Sequence, residues 1–233
     1  MMVRKTTLLT LCLLMSCCLT KAQNILFVGN SLTYSNDMPQ MLEDLAEMNG
    51  LSVQTMCLCQ PNYALEDHLN EGTVLFELAS KPYDFMILQQ GPSSQDYGRK
   101  KLFDMGGKLA ALARQNKAKT AFLMVWPAKD YYQSFDAVIE NYTDASHASR
   151  AILIPLGAVW QKLNLEHPEY ELYGEDGFHP SQLGSFLEAV VILKSIHPKL
   201  EVTTLKTDFR TEGIKDDESM QQFLNAVSKY LKK

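Results

Sequence analysis

Asn24-Ile25-Leu26-Phe27-Val28 runs directly into Gly29-Asn30-Ser31-Leu32-Thr33. An apolar run that stops abruptly in small polar residues reads as a buried strand entering a tight turn. Its apolar residues are continuous rather than alternating, as in strands covered on both faces. Similar runs recur at Leu51 to Leu58, Phe85 to Leu88, Thr120 to Val125 and Ala151 to Pro155. Helical spacing lies between them. Pro39 to Met48 places Met41, Leu42, Leu45 and Met48 on one face, with Asp37 as a candidate N-cap. Leu65 to Leu78 and Leu102 to Arg114 read as helices, Phe186 to Ile196 as a strongly apolar one, and Met220 to Leu231 closes the chain. Strand alternating with helix predicts a three-layer α/β/α sandwich. Its parallel sheet should have about five strands, flavodoxin-like in plan, with right-handed crossovers. Ligands of such sheets sit beyond the carboxyl ends of the strands. The functional loops are therefore expected after Val28, Leu58, Leu88, Val125 and Pro155.

The 233 residues are 46 % hydrophobic and 21 % charged, which excludes a disordered, collagenous or disulfide-dense chain. Residues 1–22 stand apart. Arg4 and Lys5 precede an apolar run from Leu8 to Leu19, and Thr20-Lys21-Ala22 offers a small-residue cleavage site. This pattern predicts a secretory signal peptide and leaves one domain over 23–233. Leu14-Met15-Ser16-Cys17 loosely resembles a lipoprotein box, so a lipid anchor at Cys17 is the alternative to free export. No run is long enough for a membrane span. Removing Arg4, Lys5 and Lys21 from the 22 bases leaves 19 against 27 acids, a net charge of −8. Such a domain is a poor ligand for nucleic acid or anionic membranes. Cys57 and Cys59 remain after the leader. Two residues apart on a strand, they read as small buried hydrophobes too far apart for easy bridging, with a strained disulfide as the alternative. Two cysteines and scattered histidines do not make a zinc site.

The candidate chemistry lies at the two ends of the domain. Ser31, on the turn after the first strand, can present its hydroxyl at the top of the sheet. Asp176-Gly177-Phe178-His179-Pro180-Ser181 places a carboxylate and an imidazole three residues apart, where Asp176 can bond the His179 ring and leave Nε2 free for a serine proton. Pro180 suits the first turn of the following helix.

Together these two blocks resemble those of the SGNH hydrolases, also called GDSL-type esterases, in order and in placement. The resemblance implies Ser31 as nucleophile, His179 as general base and Asp176 as its orienter, with no metal or organic cofactor. The middle blocks depart from the family pattern. The family's oxyanion glycine is matched by Asn62, in Pro61-Asn62-Tyr63. The usual Gly-x-Asn-Asp is replaced by Gln89-Gln90-Gly91-Pro92-Ser93, where Ser93 falls in the donor place and a Gln amide could substitute. The oxyanion hole is assigned to the Ser31 and Asn62 backbone N–H groups and the Gln89 side chain, with Gln90 as the alternative amide.

Trp126 is a candidate substrate wall or sugar-stacking face, with packing alone as the alternative, and Tyr131 and Tyr132 share that ambiguity. Arg99 reads as part of a solvated helix face, with contact to an anionic substrate as the alternative, and His68 reads as a helix residue away from substrate. The expected activity is hydrolysis of short, acetyl-type esters, on a small ester or an acetylated glycan. The alternatives are a lipase or lysophospholipase, and a non-catalytic glycan-binding protein with a degraded oxyanion hole.

Overall fold

A computed structural model describes residues 22–231. The leader and the Cys17 box lie outside the described residues. The elements run β1 (Gln23–Gly29), α1 (Ser31–Tyr34), α2 (Met38–Met48), β2 (Val53–Cys59), α3 (Leu65–Glu71), α4 (Thr73–Ser80), β3 (Phe85–Leu88), α5 (Asp96–Gln115), β4 (Lys119–Leu123), α6 (Phe135–Ser149), β5 (Ile152–Ile154), α7 (Leu156–Glu166), α8 (Gln182–Ile196) and α9 (Asp217–Leu231). All five strands are parallel, in the order β2-β1-β3-β4-β5, with helices on both sides of the sheet. β1 is buried from Ile25 to Gly29 and β3 throughout. This is the expected three-layer α/β sandwich. The strand order reverses between β1 and β3, the switch point where ligands of such sheets bind.

Several local readings change. The Leu65–Leu78 helix is two helices, broken at the left-handed Gly72. Asp37 does not cap α2, because it is itself left-handed (φ 57°) and makes no capping bond. Pro180 lies one residue before the N-cap of α8; Ser181 is the cap, its hydroxyl accepting from the Gly184 N–H. The cysteines are bonded, with Cys57 and Cys59 Cα atoms 5.2 Å apart. That separation is within disulfide reach. β2 is an edge strand. Its outer side has no ladder to keep it fully extended, so the ends of the Cys57–Cys59 segment can approach. Both residues are half-buried rather than core. Among the described residues no helix is long and apolar enough to cross a membrane.

α8 carries one residue at odds with its surroundings. Glu188 is buried, and neither carboxylate oxygen has a hydrogen-bond partner among the described residues. Burial pushes its carboxyl well above the usual carboxylate range. The unfolded chain ionises this group near pH 4.3, and the folded chain keeps it neutral to higher pH. Folding therefore holds an extra proton, and stability falls as pH rises above that value. Glu188→Met should stabilise the fold by about 1–3 kcal/mol, with a larger gain at pH 8 than at pH 5. Urea denaturation of both proteins at the two pH values measures this. A gain independent of pH would contradict the buried neutral acid.

Candidate active site

The site is built where β1 and β3 end side by side. Gly29 closes β1 because the space over its Cα is taken: a Cβ there would meet Gln89 Oε1 at 2.6 Å and Thr33 Oγ1 at 2.9 Å. Asn30 follows as the N-cap of α1, its Oδ1 accepting from the Leu32 N–H at 3.1 Å while its Nδ2 donates to Tyr63 O at 3.0 Å. Ser31 is thereby the first residue of α1, half-buried, with its backbone N–H directed out of the helix end.

Ser31 Oγ lies 2.9 Å from His179 Nε2, and His179 Nδ1 lies 2.6 Å from Asp176 Oδ2. Asp176 Oδ1 also accepts the backbone N–H groups of Phe178 and His179, both at 2.9 Å. This fold of the chain requires a left-handed residue at the second position, and Gly177 supplies it with φ 69°. The His179 hydrogen bond, reinforced by those backbone donors, pulls the Asp176 carboxyl down to about 2. An ionised Asp176 can only accept, so Nδ1 carries the imidazole proton and Nε2 turns its lone pair to the serine hydroxyl.

The His179 loop is fixed to the rest of the molecule from three directions. Gly174 N–H donates to His179 O at 2.7 Å, and Ser181 N–H donates to Leu172 O at 2.8 Å. From the loop after β4, Lys129 N–H donates to Gly177 O, Trp126 Nε1 donates to Phe178 O at 2.9 Å, and Pro127 O accepts from the Tyr173 hydroxyl. From the nucleophile side comes Asn36, a left-handed residue whose Nδ2 lies 3.0 Å from both Pro180 O and Ser181 O and 2.9 Å from Ser185 Oγ. Asn36 thus ties the turn after α1 to the segment that follows His179. The sequence reading passed over it; its only signal is the turn chemistry of Ser35-Asn36-Asp37.

Two sequence assignments are corrected here. Gln89 is 1 % exposed and lies behind the nucleophile turn. Its Oε1 accepts the Asn30 N–H at 2.8 Å and the Thr33 hydroxyl at 3.1 Å, and its Nε2 donates to Gln90 O at 2.9 Å. The Asn30 N–H can only donate, so the amide orientation is fixed, and one of the two Nε2 hydrogens is already used. Gln89 supports the turn and does not face the site. Trp126 is fully buried, stacked on Trp160 with ring centroids 3.7 Å apart, and walls no cleft. It acts on the site through its bond to Phe178 O.

The remaining candidates also separate. Asn62 adopts φ 63°, the left-handed conformation open to asparagine. Its backbone N–H, like that of Ser31, donates to no acceptor among the described residues. Gln90 is half-buried; its Oε1 accepts the Leu65 N–H at 2.8 Å, and its Nε2 makes no hydrogen bond among the described residues. Ser93 spends its hydroxyl on Gly91 O. His68 is buried and bonded through Nε2 to Gly29 O at 2.8 Å. Arg99 pairs with Asp144 and Asn141. Tyr132 bonds Gln161 O and packs against Phe135, whereas Tyr131 is 65 % exposed.

No sequence model of a protein family matches the chain, and no curated protein sequence does. Solved structures do. A candidate SGNH hydrolase from Slackia heliotrinireducens shares 26 % identity at a TM-score of 0.64, over 75 % of this chain and 99 % of that one. A lipase/acylhydrolase from Enterococcus faecalis is 17 % identical at a TM-score of 0.62, over 81 % of this chain and all of that one. An acetylxylan esterase from Geobacillus stearothermophilus is 12 % identical at a TM-score of 0.60, over 75 % of this chain and 94 % of that one. At 17 % and 12 % identity the likeness is one of fold.

Proposed function

We propose that this chain, a protein of the SGNH-hydrolase type, is a serine esterase that removes short acyl groups, acetyl first among them, from carbohydrate. The observation that carries this reading is the bonded series Ser31 Oγ, His179 Nε2, His179 Nδ1, Asp176 Oδ2, with separations of 2.9 Å and 2.6 Å. A serine with an imidazole at hydrogen-bond distance, and a carboxylate fixing that imidazole, is the arrangement acyl transfer needs.

In this reading Ser31 attacks the ester carbonyl as His179 Nε2 takes its proton. The oxyanion of the tetrahedral intermediate is met by the unpaired N–H groups of Ser31 and Asn62. His179 then returns the proton to the leaving alcohol, and water repeats the cycle on the acyl-enzyme. Asp176 holds the ring throughout. Its hold is present above the ordinary carboxylate pKa of 3.8 and is lost only as pH falls toward about 2.

The apolar leader expected at residues 1–22 and the Cys57–Cys59 disulfide support an exported protein in an oxidising compartment. The test is hydrolysis of 4-nitrophenyl esters of two to twelve carbons. Turnover is expected to be highest on the acetyl ester and to fall with chain length. A maximum at eight to twelve carbons would favour the lipase reading. Silence on every ester from folded protein would favour a non-catalytic glycan-binding protein.

A further inference from the structure

We infer that the cleft between Tyr131 and Phe178 receives the alcohol half of the ester, and that this half is a neutral sugar ring. The inference rests on the carbohydrate-esterase reading and adds where the sugar binds, its neutral charge and the residue that selects it. The cleft is about 660 Å³ and opens between the loop after β3 (Pro92, Ser94, Gln95) and the loop after β4 (Pro127), with Tyr131 and Phe178 as its aromatic sides. That size is in the range of small-molecule sites, which pair apolar walls with a few polar groups. Phe178 immediately precedes His179 and their ring centroids lie 5.2 Å apart, so the cleft borders the group that hands a proton to the leaving alcohol.

Three features identify the occupant. The first is Tyr131. Its N–H donates to Ala128 O at 2.9 Å and its O accepts the Ser134 hydroxyl at 2.7 Å, so its backbone is pinned at both ends. Its ring remains in solvent, and its hydroxyl makes no hydrogen bond among the described residues. A flat apolar face on a fixed backbone loses little freedom when a ring stacks on it.

The second feature is charge. Among the described residues no charged side chain lines the cleft. The nearby Arg99 is held by Asp144 and Asn141, and Lys129 Nζ lies over the Tyr173 ring at 5.3 Å. A phosphate headgroup or an acidic sugar would find no free cation. The third is the rim, where Ser94 and Gln95 bring a hydroxyl and an amide beside the proline and aromatic walls. A pyranose ring has the same division, with apolar C–H faces and a polar edge of hydroxyls. An alkyl chain would leave the polar rim without partners and would itself stay half-wetted in an open cleft.

The experiment compares wild type, Tyr131→Ala and Tyr131→Phe on acetylated xylo-oligosaccharide and on ethyl acetate, both followed by pH-stat. Binding of the deacetylated oligosaccharide is measured separately by NMR titration. The ratio of kcat/KM on the oligosaccharide to that on ethyl acetate should fall at least tenfold in Tyr131→Ala, through KM. Tyr131→Phe should keep it, and oligosaccharide binding should weaken in Tyr131→Ala alone. An unchanged ratio, or a wild type that does not bind the oligosaccharide, overturns the assignment. So does a loss in Tyr131→Ala confined to twelve-carbon esters, which would give the cleft to an acyl chain. Absence of all turnover with intact, Tyr131-dependent binding would overturn the esterase reading and leave the sugar cleft standing.

Discussion

Ser31→Ala should lower kcat on 4-nitrophenyl acetate by at least ~10³-fold and leave the fold intact. The size follows from removing the nucleophile itself, which leaves only the residual rate that donors and binding can support. The intact fold follows from where Ser31 stands. It is half-buried at the first position of a four-residue helix, and its hydroxyl makes one hydrogen bond, to His179 Nε2. Its backbone carbonyl, which accepts the Ser35 hydroxyl, is untouched by the change. The His179 ring keeps its bond to Asp176, and the loop keeps its ties to Trp126, Lys129 and Asn36. Activity and thermal melting of the two proteins, measured side by side, give the answer. A Ser31→Ala protein with wild-type turnover would end the nucleophile assignment, because no other hydroxyl is within hydrogen-bond distance of His179 Nε2 among the described residues.

What the sequence made legible divides along physical lines. Buried parallel strands need apolar runs, so β1, β3, β4 and β5 were visible to within a few residues, while β2, an edge strand with Gln54 and Met56 exposed, was visible as a mixed run of similar length. The helices that escaped are α6 and α7. α6 buries Asn141, Ser146 and Ser149 on its inner face, and Asn141 bonds Ser93 O in the loop after β3. These polar residues flank the buried apolar stripe of Phe135, Val138, Tyr142 and Ala145 and blur its edge. Ser31, Asp176 and His179 were legible because each lies in a short motif whose geometry is local. Which third-loop amide nitrogen is left free was not. Gln89 and Gln90 are adjacent in sequence and identical in chemistry. Successive side chains leaving a strand point to opposite sides, and which side meets the α1 turn is fixed by the register of β3 against β1. Trp126 and Tyr131 could not be told apart for a similar reason. Both are aromatic residues after β4, and only packing decides that one stacks on Trp160 and the other faces solvent.

That register gives the second large effect. Val28 pairs with Leu88 at the carboxyl end of the ladder, and the second residue beyond Leu88 carries an amide nitrogen left free in the loop after β3. That residue is Gln90. It is fixed at both ends: its Oε1 takes the Leu65 N–H at the start of α3, and its carbonyl accepts from Gln89 Nε2 and from the buried Tyr142 hydroxyl. With Oε1 committed, Nε2 is the free end of a preorganised amide, the quality that makes a donor effective toward a developing oxyanion. Gln90→Ala should therefore lower kcat on 4-nitrophenyl acetate on the order of 10²-fold with little change in KM. The alanine also removes the acceptor for the Leu65 N–H, so a purely structural role must be separated from donation. Gln90→Glu does this, because its carboxylate still accepts from Leu65 but offers no N–H and sets a negative charge beside the oxyanion. It should be at least as slow as Gln90→Ala while melting close to wild type. If Gln90→Glu turns over at the wild-type rate, Gln90 only caps α3, and the oxyanion is held by the Ser31 and Asn62 backbone alone.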